Sequence, residues 1–335
     1  MSANTPAEAA PGPSSNEPNP RGSETRGSDP RTSVRAGPAV DGAKLVRERR
    51  LNNAKKNWAL FRSDVPALIG AVVLLFFIVI AIAAPLIAPA SMLDVTKQLD
   101  VPRYAPPSLD HPLGTDDLGR ELWVRILWGA RVSILVGLAA TVMSMIIGTI
   151  MGLAAGHFTG LFGGIIMRIV DFFIVLPSLL LAIVLSSVLE RGVFTIVVAI
   201  GLTSWASTAR IVRSQTLSVE SRLYIERARI LGAGHSHILF RHLLPAVMPL
   251  VLANTTLTVG GAIIAESTLS FLGLGDTSKE SWGTILKNSM DVSAATSGYW
   301  WYVLTPGVAI LLVVLAFTMV GRAFEAIINP ALRSR

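Results

Sequence analysis

Six stretches free of charge dominate the pattern of this chain: 65–93, 132–167, 172–189, 192–209, 243–265 and 292–321. A bilayer core about 30 Å thick takes about 20 apolar residues as helix, so each stretch reads as a membrane span. The third and fourth have only 18 residues, about 27 Å of helix, and must stand nearly upright or draw in neighbours. The second is too long for one upright helix. Its span is placed at 133–155, with 157–163 as a tight turn into the next. Gly148, Gly152 and Gly156 recur at four-residue spacing in it, a small-residue stripe that lets another helix approach closely.

Between the fourth and fifth spans lies a polar segment, TLSVESRLYIERARILGAGHSHILFRHLLP, residues 216–245. Residues 217–231 favour helix, being rich in Leu, Arg, Glu and Ile with no Pro or Gly. Gly232 and Gly234 then break it, since glycine takes positive φ at little steric cost. A second helical pattern runs over 235–244 and is expected to stop at Pro245. The result is a short helix-turn-helix bearing Arg222, Arg227, Arg229 and Arg241, held between two spans as a knob for another protein.

Residues 1–57 are different material, with seven prolines and almost no large apolar side chain before Leu45. Such a segment cannot offset its ordering entropy by burial and reads as a disordered tail. Six basic residues within 44–56 suit either anionic headgroups or the setting of topology. Placing the N-terminus inside puts 21 of the 29 Lys and Arg on inner segments and eight outside, so both termini and the knob face the cytoplasm. The net charge of +7 therefore serves topology beside apolar runs, and no nucleic-acid partner is expected.

Catalytic chemistry is poorly represented. Asp116 and Asp117 resemble a paired acid and base, but chain neighbours rarely face one substrate atom. The following LGRELWVRILW is patterned as an amphipathic helix, with an aspartate as N-cap and Trp123 and Trp128 at the interface. His235, His237 and His242 lack the carboxylate or thiolate that would complete a metal set. No phosphate-binding loop of the form GxxxxGK followed by Ser or Thr occurs, so no nucleotide or other cofactor is assigned to this chain. Arg168 and Asp171, three apart, are expected to neutralise each other. For Glu266 two readings stay open: it lines a polar pathway or satisfies neighbouring backbone.

Glu226-Arg227-Ala228, three residues, Gly232, and then Leu244-Pro245 resemble the EAA loop of permease subunits in ABC importers. The family pattern is Glu-Ala-Ala, three residues, Gly, nine residues, an apolar residue, any residue, Leu-Pro. Arg227 replaces the usual Ala, and His242 stands at the apolar position. FRHLLP at 240–245, HPLGTDDLGRE at 111–121, GARVS at 129–133, MRIVD at 167–171 and AESTLSFLGLG at 265–275 are similar to the peptide-transport branch. Across 58–333 the chain most resembles the "C" type permease of dipeptide and oligopeptide importers.

That resemblance implies an all-α polytopic membrane protein of the cytoplasmic membrane, with six transmembrane helices in the type I ABC importer permease fold. It implies a first helix and external segment over 58–128, a permease core over 129–326, a coupling loop at 214–245 and a cytoplasmic end at 327–335. Glu226, Arg227, Ala228, Gly232, Leu244 and Pro245 would dock in a cleft of the ATPase. ATP and Mg would be bound by partner subunits, and the chain itself would be non-catalytic. The implied partners are a homologous second permease, two ABC ATPase subunits or domains, an external substrate-binding protein and membrane lipid. The rival reading is a stand-alone channel or secondary carrier whose loop binds a regulator.

Overall fold

A computed structural model describes residues 58–97 and 101–328, together with Asn52, Lys55 and Lys56. The expected tail over 1–57 and the end beyond 328 lie almost wholly outside the described residues. Among the described residues the chain is helical, with one isolated bridge between Thr115 and Glu121.

Helix α1, Val65–Ile87, begins where Asp64 accepts a bond from the Ala67 N–H at 3.1 Å, with a proline in its first turn. That proline costs nothing there because its missing donor would be unpaired anyway. Two short 3-10 turns, Ala90–Leu93 and Val95–Lys97, follow.

The next helix, α2, Leu122–His157, runs unbroken for 36 residues, about 54 Å. The external amphipathic segment and the second span, expected as separate pieces, are therefore one helix. No proline interrupts them, and Gly129 is used for packing: a Cβ there would lie 2.8 Å from the Trp282 ring. Its N-cap position is Glu121 with no side-chain cap bond, so neither aspartate has the expected capping role.

Helices α3, Leu161–Val175, and α4, Ser178–Val188, meet at 89°. This corrects the straight third span expected over 172–189. Pro177 forces Leu176 out of helical backbone, to φ −74° and ψ 131°, because a proline ring crowds the residue before it. Asp171 pairs with Arg210 at 2.7 Å, where the sequence suggested Arg168.

Helix α5, Val193–Glu220, packs along α2 through the glycine stripe. A Cβ on Gly148, Gly152 or Gly156 would come within 2.7 Å of Trp205 O, 2.6 Å of Ala209 O and 2.6 Å of Thr216 Cβ respectively. Real side chains do not approach so closely, and the stripe is a closed helix–helix seam.

The knob segment supplies α6, Leu223–Ile230, and α7, His235–Ile238. A π-turn over Leu239–Leu243 then leads straight into α8, Leu244–Phe271. Pro245 does not stop a helix as expected. The widened turn takes up the missing proline donor, and the Leu244 N–H bonds back to Leu239 O. Helix α9, Trp282–Asp291, opens with a Ser281–Thr284 capping box. The last, α10, is Trp300–Ile328, so the apolar run beginning at 292 is a turn before it becomes a span.

Five of these helices are long and apolar enough to cross a membrane, and the bent α3–α4 pair makes a sixth if its halves act as one. Large apolar side chains such as Leu75, Phe76, Ile146 and Phe172 face outward, which suits lipid or an apolar partner and would be unfavourable in water.

Candidate functional site

The knob is built from its buried side outward. Val219, Ile225, Ile238 and Leu243 are buried together with Leu153, Val212, Val247 and Val251. These side chains nail α6 and α7 onto the inner ends of α2, α5 and α8. Burying each large aliphatic side chain contributes about 1.5–3 kcal/mol, so the knob is held as a unit. Sequence placed its first helix over 217–231. The helix instead breaks at Ser221 and Arg222, where the Ser221 hydroxyl donates to the Ser218 carbonyl at 3.1 Å and Arg222 is extended.

Gly232 ends α6 at φ 87°. Its N–H bonds to Arg229 O at 2.9 Å, and the Ala233 N–H reaches Ala228 O at 3.0 Å. These two bonds form a Schellman motif, which requires the left-handed residue that glycine supplies. A Cβ on Gly232 would meet nothing within 4 Å, so backbone conformation and not crowding demands glycine.

The six residues singled out in the sequence fall on this one knob. Glu226 and Arg227 are exposed on α6, Ala228 is half-buried, and Gly232 makes the turn. Leu244 packs against the buried cluster, and Pro245 is exposed in the first turn of α8. The outward face combines the side chains of Leu223, Ile230, Leu231 and Phe240 with Glu226, Arg222, Arg227 and Arg241. Among the described residues these four charges have no ion-pair partner within the chain. His242 contacts the rings of Tyr224 and His237, at 6.0 and 5.5 Å between centroids, which is how a histidine occupies an ordinarily apolar place.

Sequence reasoning missed the polar brace beneath the knob. His157 Nδ1 bonds to a Glu220 carboxylate oxygen, and His157 Nε2 lies 2.9 Å from His235 Nδ1. The other Glu220 oxygen accepts from Arg229. Ends of four helices meet in this set. In sequence His235 reads only as a candidate metal ligand and His157 as the start of a turn; among the described residues no group of three or more His, Asp or Glu is arranged to hold a metal ion.

Glu266 is fully buried in α8 and accepts from Ser270 Oγ at 2.8 Å and Ser267 Oγ at 3.3 Å. At the end of α2 far from the knob, Arg125 lies 3.0 Å from Asp116, 2.9 Å from Glu280 and 3.0 Å from the Tyr302 hydroxyl. Asp117 accepts from that same hydroxyl at 2.9 Å. The two aspartates thus hold this end together.

With this geometry in place, two family models match the chain. One is the binding-protein-dependent transport system inner membrane component, over 144–334. The other is the N-terminal TM domain of oligopeptide transport permease C, over 54–107. The chain belongs to this permease family. The oligopeptide transport system permease protein OppC of Bacillus subtilis is 38% identical over 292 residues, covering 87% of this chain and 94% of that one. The dipeptide transport system permease protein DppC of the same organism is 36% identical over 292 residues, 87% and 90%. The di/tripeptide transport system permease protein DppC of Pseudomonas aeruginosa is 35% identical over 287 residues, 84% and 93%. This permease-family chain is accordingly an integral, multi-span component of the inner membrane.

Proposed function

We propose that this chain is the permease subunit of an ATP-driven importer that carries short peptides or similar small solutes across the cytoplasmic membrane. The observation that carries this reading is the knob: a rigid polar and apolar projection, turned by Gly232, on a chain with no phosphate-binding loop of its own. The relatives' names, oligopeptide, dipeptide and di/tripeptide transport permease, support the substrate class.

In this reading six spans cross the bilayer, the α3–α4 pair counting as one, with both termini cytoplasmic. A homologous second permease completes the path, and two ATPase subunits or domains bind ATP and Mg. An external binding protein delivers the solute. Glu226 and the unpartnered arginines make charge-assisted bonds in the ATPase cleft. Closure of the ATPases pushes the knob, and α5 and α8 move with it because the buried cluster joins them. The permease performs no covalent chemistry and gates by moving a rigid element. Glu266 is assigned a structural role, since it is fully buried and bonded to Ser267 and Ser270 of its own helix and to Ser133 and Ser281 of neighbouring segments.

The test is reconstitution in proteoliposomes with the ATPases, second permease and binding protein, using a panel of labelled di- to pentapeptides. ATP-dependent uptake of some of them is expected. Flux through the purified chain alone, without ATP, would replace this reading with a channel or carrier.

A further inference from the structure

The set under the knob has a direction fixed by chemistry. A carboxylate only accepts, so His157 Nδ1 carries the proton in its bond to Glu220. In a neutral imidazole the other nitrogen is then an acceptor, and His235 Nδ1 must donate to His157 Nε2 across 2.9 Å. Arg229 donates to the remaining Glu220 oxygen. The last residue of α2 is thereby tied at one nitrogen to the end of α5 and at the other to the start of α7.

The His157 side chain is 1% exposed, and Phe158 packs edge-on to it at 4.8 Å and against His235 at 5.4 Å. The ionisable groups at this ring are Glu220 from α5 and His235 from α7, with Arg229 from α6 on the far Glu220 oxygen; Arg213 of α5 donates to Ala155 O two residues before the ring. An open hollow of about 540 Å³, lined by His157, Phe158, Thr159, Phe162 and His235, borders the pair, with His235 exposed and His157 buried behind it.

We propose that His157 is a positioning residue for energy coupling, bracing α2 to the knob so that a push on α6 and α7 reaches the glycine seam. This rests on the coupling reading above. The apolar nails reach α2 through Met145 and Leu153, short of its end, as well as α5 and α8. The histidine brace adds a polar tie at the last residue of α2, whose other contacts run the length of the bundle. Without it the knob remains folded, but its displacement is not fully passed to the helix that packs against α1, α5, α8 and α9.

A donor at position 235 is what the tie requires, and the two substitutions that follow separate that requirement from bulk. His235→Asn keeps the tie, because its amide N–H can donate to His157 Nε2 in place of the imidazole. His157→Leu removes it while keeping an apolar side chain in the same place.

The chain has no cysteine, so spin labels at Thr159→Cys and Ser236→Cys report on the end of α2 and the knob without background. In the assembled transporter, the wild-type distance distribution should be narrow. It should stay narrow in His235→Asn and be broad in His157→Leu. ATP-driven uptake of labelled dialanine per ATP hydrolysed should fall about tenfold in His157→Leu, the worth of one charge-assisted hydrogen bond, and by less than twofold in His235→Asn. Equal widths in all three proteins would overturn the brace, as would a loss of uptake in His157→Leu without broadening. The spin-label arm reads this chain's own geometry and answers even if the ATPases grip another surface. Uptake absent in the wild type as well would overturn the coupling reading instead.

Discussion

Arg125 and Asp116 face each other at 3.0 Å with neither side chain exposed to solvent. Both come from the segment that reads in sequence as a helix start. Neither caps the helix; together they pin the 101–121 loop to the base of α2. Glu280 and Tyr302 bring the segment before α9 and the top of α10 to the same guanidinium.

Removing that guanidinium should therefore be costly. Arg125→Met leaves Asp116 and Glu280 to share Arg120 alone, which pairs with them at 2.7 and 3.1 Å, a loss on the order of 3 kcal/mol. The expected outcome is a fall in thermal midpoint of the detergent-solubilised protein, read by tryptophan fluorescence. The double variant Arg125→Met with Asp116→Asn should recover part of it, because one of the two carboxylates left sharing Arg120 is then neutral. If the single variant melts like wild type, this end of α2 is not held by the pair.

The glycine seam makes a second, sterically defined prediction. Gly152→Leu places atoms where Ala209 O already stands 2.6 Å from a single added Cβ. Backbone cannot yield as a side-chain tip can, so α2 and α5 must separate. Overpacking of this kind costs typically 1–3 kcal/mol, with more expected at a backbone contact. Gly164→Leu, where nothing lies within 4 Å of the added Cβ, is the matched control and should leave the thermal midpoint nearly unchanged.

These two features differ in how legible they were. The four-residue glycine spacing is a local pattern that maps directly onto one helix face, and it announced the seam. Span positions were legible because apolar runs of bilayer length have few other uses. The bend at Pro177 was not, since a run that is apolar on both sides of the proline gives no periodicity to contradict a straight helix. Helix α9 escaped because its short amphipathic pattern lay between two long apolar runs. The break at Ser221–Arg222 has no glycine or proline to mark it and arises from burying both Val219 and Ile225. The tie among His157, Glu220 and His235 joins positions 63 and 78 residues apart from His157, so no window of sequence contains it. The knob itself was recognisable because its turn chemistry and its resemblance to the EAA loop are both local.

Gly232→Val tests the turn. The position needs φ near 87°, and a β-branched residue in left-handed backbone costs on the order of 1–3 kcal/mol. Open space around the site means that crowding adds nothing. The strain should be relieved by unwinding the end of α6, which shifts Arg227 and the exposed Ile230 and Leu231. Membrane insertion is expected to persist while ATP-driven uptake falls by tenfold or more. Gly232→Asn, which tolerates left-handed backbone better, should retain most activity; equal loss in both variants would argue against the conformational explanation.

Glu226 makes the last prediction, because it separates a docking surface from a mere linker. Its carboxylate is exposed and without an ion-pair partner in this chain, so reversing its charge costs the isolated permease almost nothing. At an interface the same change both removes an acceptor and sets Lys beside Arg222, Arg227 and Arg229, adding like-charge repulsion on one face of α6. Glu226→Lys should therefore leave the thermal midpoint of the free subunit unaltered and reduce co-purification of the ATPases several-fold. The deficit should shrink as salt is raised, since screening weakens the added repulsion. An ATPase yield equal to wild type at low salt would mean that the partner does not read this face.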